Sequence, residues 1–99
     1  MAGRGDDVAK AVRVRITGRV QGVGYRAWTE QEAIARGLRG WVRNRTDGSV
    51  EALIAGPESI VDDMLSNFRT GPRMAEVDDV STVPADDPGG IGFRTLPTG

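Results

Sequence analysis

The chain has 99 residues and contains neither cysteine nor histidine. Without cysteine there is no disulfide, no thiolate nucleophile and no thiolate metal site. Without histidine the commonest general base, proton shuttle and metal ligand are missing. Aromatic residues make up only 5%. The strand-like segments 11–17 and 49–55 hold none at all, which argues against a base-stacking RNA surface. Nor is there an excess of charge of one sign. With 13 basic and 14 acidic residues the formal net charge is −1, so no global attraction to nucleic acid or an anionic membrane is expected. No apolar run is long enough to span a bilayer, and residues 1–10 lack the hydrophobic centre of a signal peptide. The expectation is a cytoplasmic protein with no membrane or nucleic-acid partner. Its chemistry must run on Arg, Asn, Asp, Glu, backbone amides and water.

What is present fits one domain with a single core. Residues 1–10 are rich in glycine and charge and read as a flexible tail, leaving 11–97 as the folded unit. Val12, Val14 and Ile16 alternate with Arg13, Arg15 and Thr17, the pattern of a strand with one buried face. A helix is predicted from Gly24 or Tyr25 to Arg36, stopped by Gly37, with an interrupted stripe of Ala27, Ile34 and Leu38. Gly40–Asn44 and Ser49–Ala55 flank Arg45-Thr46-Asp47-Gly48, whose Asp-Gly pair signals a hairpin. Pro57 suits the first position of a second helix, and Val61, Met64, Leu65 and Phe68 give it a clean apolar face. Glu76–Val83 is a strand whose Val77 and Val80 differ in parity, which predicts a bulge or a sheet edge. A loop at Pro84–Gly90 and a candidate short last strand at Gly92–Leu96 follow. The order βαββαβ gives an α+β, ferredoxin-like split βαβ sandwich: an antiparallel sheet with two helices on one face.

The most informative segment is Gly18-Arg-Val-Gln-Gly-Val-Gly-Tyr-Arg26. A glycine-rich turn between a strand and a helix N-terminus brings backbone N–H groups together around an anion. Arg26 falls in the first helical turn, where the macrodipole disfavours a cation by about 0.3–1 kcal/mol. A phosphate between dipole and guanidinium would reverse that sign. The segment has no Gly-Lys-Ser/Thr and lacks the dinucleotide spacing, so it is neither of those phosphate loops. Asn44, at a strand end before the hairpin, cannot act as a base but can hold a water. Arg43 alternates away from it and is expected in solvent, and Asp47 is a turn residue. Asp62-Asp63 and Asp78-Asp79 lack the geometry of a metal site.

Two stretches together resemble the acylphosphatases, small enzymes that hydrolyse carboxylic–phosphoric anhydrides. Gly18, Val20, Gln21, Gly22, Val23, Tyr25 and Arg26 match the first family signature. Gly40, Trp41, Val42, Arg43, Asn44, Gly48, Val50 and Gly56 match the second. The resemblance extends through Gly71-Pro72, Ala75 and Val77. It implies that Arg26 and the backbone N–H groups of Gln21, Gly22, Val23, Gly24 and Tyr25 bind the substrate phosphate, and that Asn44 positions the attacking water. It also implies a metal-independent monomer acting on a small acyl phosphate. Two other readings share the topology: an RNA-binding module, and a phosphate-binding domain serving a larger partner protein.

Overall fold

The computed structural model describes residues 8–99. Its elements are β1 (Ala9–Arg19), α1 (Tyr25–Ala35), β2 (Arg39–Asn44), β3 (Val50–Pro57), α2 (Glu58–Thr70), β4 (Glu76–Pro84) and β5 (Phe93–Thr95). The sheet order is β4-β1-β3-β2-β5. The helices cover one face, and Val14, Ile16, Val42, Ala52 and Ile54 meet Tyr25, Ala33, Val61, Met64 and Phe68 in one core. This is the ferredoxin-like arrangement that the alternation in β1 and the stripe in α2 predict.

The sheet is mixed rather than antiparallel throughout, because β5 lies parallel to β2. β4 runs opposite to β2, so a chain that reverses after β4 and reaches the far edge must run with β2. The Arg39 guanidinium clasps Asp87 in the connecting loop through two hydrogen bonds. That contact, with the Gly89 N–H, pulls the Asp87 carboxyl down to about 2. The bulge expected in β4 is present at this outer edge: Thr17 faces Asp79 but Gly18 faces Val77, which leaves Asp78 as the extra residue.

The structure departs from the sequence reading at the start of β1, at Pro57 and in the buried face of α1. β1 begins at Ala9, two residues inside the segment expected as a tail, since Ala9 and Lys10 pair with Pro57 and Gly56. Residues 1–7 of that segment lie outside the described residues. Pro57 ends β3 and precedes the first turn of α2 instead of occupying it. In α1 the buried side is Tyr25, Thr29 and Ala33, and Ile34 is 58% exposed. Thr29 tolerates burial because its hydroxyl donates to the Tyr25 carbonyl at 2.8 Å. The stripe of Ala27 and Ile34 therefore points away from the core.

Gly40 is the tightest point of the sheet. It sits at φ 138°, and a Cβ there would lie 1.8 Å from the Leu53 carbonyl oxygen. Gly40→Ala is expected to destabilise the fold by about 3 kcal/mol through strain and a backbone clash. Urea unfolding checks this: the midpoint should fall with the slope unchanged, and a loss under about 1 kcal/mol would show that β2 and β3 can separate cheaply.

Candidate active site

The loop between β1 and α1 is held at both ends by apolar side chains. Val20 is buried, and Val23 packs against the core. Between and after them, Gly22 and Gly24 take φ of 75° and 82°, a left-handed geometry that only glycine adopts without strain. A Cβ at either would meet nothing within 4 Å. The requirement is thus the curl of the backbone, not room inside the protein.

Gly24 is the N-cap of α1, and no side chain caps that end. The first turn carries no acidic residue either. α2 shows the ordinary arrangement, with Glu58 in its first turn and Arg69 in its last. α1 breaks this rule: its unsatisfied N–H groups and positive dipole end are joined by a third positive element, Arg26. Arg26 is only partly exposed, yet among the described residues it has no ion-pair or hydrogen-bond partner. Other arginines beside a concave surface behave differently. On the uncovered sheet face Arg13, Arg43 and Arg45 share Glu51, and Arg15 pairs with Asp47. Arg43 is therefore not the solvated side chain expected from its parity; it also lies 5.1 Å over the Trp41 ring.

Asn44 reaches the same place from the sheet. It is the last residue of β2, opposite Val50. Beyond it the hairpin closes through Arg45 N–H to Ser49 O at 2.8 Å and Gly48 N–H to Arg45 O at 3.1 Å. Asp47 acts as the expected turn residue, accepting from the Ser49 hydroxyl and N–H, which hold its carboxyl below the ordinary value. The Asn44 Oδ1 is buried and accepts no hydrogen bond from the described residues. An acceptor left in that condition costs about 1–3 kcal/mol unless something donates to it.

A cavity of about 330 Å³ joins these groups, lined by Val20, Gly22, Gly24, Tyr25, Arg26, Ala27, Glu30, Asn44 and Thr95. Of the residues expected at the site, Gly22, Gly24, Tyr25, Arg26 and Asn44 line it, whereas Gln21 and Val23 do not. The Gln21 side chain donates from Nε2 to both Arg45 O and Ser49 O at 2.8 Å. It ties the glycine loop to the hairpin that carries Asn44, a side-chain role that the sequence reading did not assign. The Tyr25 hydroxyl donates to Phe68 O at 2.6 Å, and burial drives its pKa upward, so it serves packing rather than proton transfer. Glu30 and Thr95 were not anticipated. Glu30 was traceable as the residue one helical turn beyond Arg26. Thr95 was not, because only the parallel pairing of β5 brings it here.

Among the described residues there is no cluster of three or more Asp or Glu side chains suited to a metal, and no helix long and apolar enough to cross a membrane.

Comparison with known proteins identifies the family and the fold. The acylphosphatase family profile matches residues 12–95. An acylphosphatase of Rhodospirillum rubrum is 52% identical, over 90% of this chain and 98% of its own. One from Bradyrhizobium diazoefficiens is 54% identical, over 88% of this chain and 94% of its own. The crystal structure of acylphosphatase from Bacillus subtilis superposes with a TM-score of 0.85 at 36% identity, covering 90% of this chain and 99% of that one. Full-length HypF in a phosphate- and nucleotide-bound form shares the fold, with a TM-score of 0.85 at 20% identity, although this chain spans only 12% of it. With the family profile matched almost end to end and such relatives matched along nearly their whole length, the chain belongs to the acylphosphatase family of hydrolases.

Proposed function

We propose that the protein hydrolyses small acyl phosphates by direct attack of water on a phosphate held at the α1 N-terminus. Arg26 and the N–H groups of Gln21, Gly22, Val23, Gly24 and Tyr25 bind the phosphate oxygens. Asn44 Oδ1 accepts a hydrogen bond from the attacking water and aims its lone pair at phosphorus. The observation that carries this reading is one cavity lined both by Arg26, whose guanidinium is unpaired among the described residues, and by Asn44, whose buried Oδ1 has no partner among them. The two groups ask for opposite things, an anion and a donor, and a phosphate with a water beside it supplies both.

The reaction needs little else. Water adds to phosphorus, the P–O bond to the acyl group breaks, and the leaving carboxylate departs unprotonated because its conjugate acid has a pKa near about 4. The water's proton passes to a phosphate oxygen, giving a carboxylate and dihydrogen phosphate. What remains for the protein is positioning and charge stabilisation, which suffice for phosphoryl transfer. Neither a metal nor a protein base enters, and the protein works in this reading as a cytoplasmic monomer. The test is hydrolysis of benzoyl phosphate by the purified protein in EDTA. Rapid turnover supports the reading, and a folded protein that binds phosphate without turning over would overturn it.

Glu30 is the carboxylate lining the cavity, so it is the residue on which the proton route is tested. Glu30→Gln is expected to keep kcat within a few-fold of the native value. A loss of about 100-fold in a folded variant, the scale of general-base catalysis, would make Glu30 the proton acceptor instead.

A further inference from the structure

We infer that Thr95 is a positioning residue for substrate binding: its hydroxyl holds the Glu30 carboxylate away from Arg26 and so keeps the guanidinium available to phosphate. The inference rests on the reading of Arg26 given above. Arg26 and Glu30 lie one turn apart on α1 and line the same cavity. Residues at this spacing share a helix face, and opposite charges there attract, more weakly with the cation N-terminal to the anion than in the reverse order. In the same helix Glu32 and Arg36 meet at 2.7 Å. Arg26 and Glu30 do not meet. Instead Glu30 Oε1 accepts a hydrogen bond from Thr95 Oγ1 at 3.0 Å.

The donor is well placed for this task. β5 is short, but Phe93 buries its ring in the core and Thr95 follows two residues later on the same face. Thr95 sits opposite Val42, and the next N–H, that of Leu96, donates to Val42 O at 2.8 Å. The hydroxyl is therefore presented by an edge strand anchored before Thr95 by the Phe93 ring and after it by the Leu96 N–H. Carboxylate and phosphate oxygens compete for the same guanidinium N–H groups. A Glu30 released from Thr95 would thus be an intramolecular competitor of the substrate, always present and only one turn away.

The experiment is calorimetric titration of the full chain with inorganic phosphate, for the native protein and for Thr95→Val, Thr95→Ser, Glu30→Gln and the Thr95→Val/Glu30→Gln double variant. Thr95→Val should weaken phosphate binding about two- to five-fold, the effect of one new half-exposed ion pair. In turnover the same variant should raise KM with kcat unchanged. Thr95→Ser should restore native binding, and the double variant should bind as tightly as Glu30→Gln alone. If Thr95→Val binds phosphate like the native protein, the inference is wrong. An equal loss with and without Glu30 also overturns it, since the hydroxyl would then act through the shape of β5. Should valine unsettle this edge, Thr95→Ala gives the same comparison. Arg26→Ala separates the two layers: undiminished phosphate binding there would sink the Arg26 reading itself, whereas a loss there with no Thr95 effect sinks only the positioning role.

Discussion

Asn44→Ala is expected to lower kcat by about 10²- to 10³-fold while inorganic phosphate still binds within a few-fold of the native affinity. The reason lies in where the side chain sits. Its Oδ1 is a buried acceptor without a donor among the described residues, and its Nδ2 donates to none of them, so the truncation breaks no hydrogen bond within the described fold. The backbone pairing with Val50 and the bond from Gly99 N–H to Asn44 O do not involve the side chain. In the proposed mechanism phosphate is held from the other wall of the cavity, by Arg26 and the glycine loop. Removing the amide should therefore leave ground-state binding intact and lose only the orientation of the nucleophile, which appears in kcat and not in KM. Steady-state kinetics with benzoyl phosphate, beside phosphate inhibition constants, checks this. A rate within a few-fold of native would mean that the water is held by something else.

Much of this site was legible in the sequence because it is built from short local signals. The glycines of the first loop announce left-handed backbone, and Arg26 announces itself by standing where a helix disfavours a cation. Asn44 precedes an Asp-Gly hairpin that fixes where the strand ends. The core followed from period in β1 and α2, where apolar side chains do the packing. α1 was misread because its buried face is made of Tyr25, Thr29 and Ala33, residue types that carry little apolar signal. Thr29 is polar by type but fully buried, its hydroxyl satisfied by its own helix.

What could not be read depends on topology. β5 is three residues long, too short for a period, and its parallel place beside β2 follows from where the chain turns after β4. Thr95 enters the cavity only through that pairing. Gln21 was assigned by its backbone alone, yet its side chain spans 24 and 28 residues to Arg45 and Ser49. That bond couples the two halves of the site, so the loop and the hairpin are positioned together. The arginines were equally ambiguous by type. Arg13, Arg15, Arg43 and Arg45 are absorbed by Glu51 and Asp47, and only partners in space distinguish them from Arg26.

Arg26→Ala is expected to produce the largest loss, about 10³-fold or more in kcat/KM, shared between weaker phosphate binding and slower turnover. In the proposed mechanism this residue, unlike Asn44, touches the phosphate before and during the reaction. There it stabilises the bound dianion and the charge that spreads over the equatorial oxygens as the bond to the leaving carboxylate breaks. The fold itself should not suffer. A guanidinium in the first turn opposes the α1 dipole and has no partner among the described residues, so its removal relieves repulsion at an uncapped helix end. The variant should thus unfold at the same or a slightly higher denaturant concentration while being nearly inactive, an opposition of stability and function expected of a residue kept for chemistry. Arg26→Lys should recover only part of the rate, because an ammonium keeps the charge but loses the planar fork that meets two phosphate oxygens at once. Parallel measurement of phosphate affinity, kcat and unfolding midpoint decides the matter. An Arg26→Ala protein less stable than the native one, with phosphate affinity unchanged, would assign the guanidinium to structure.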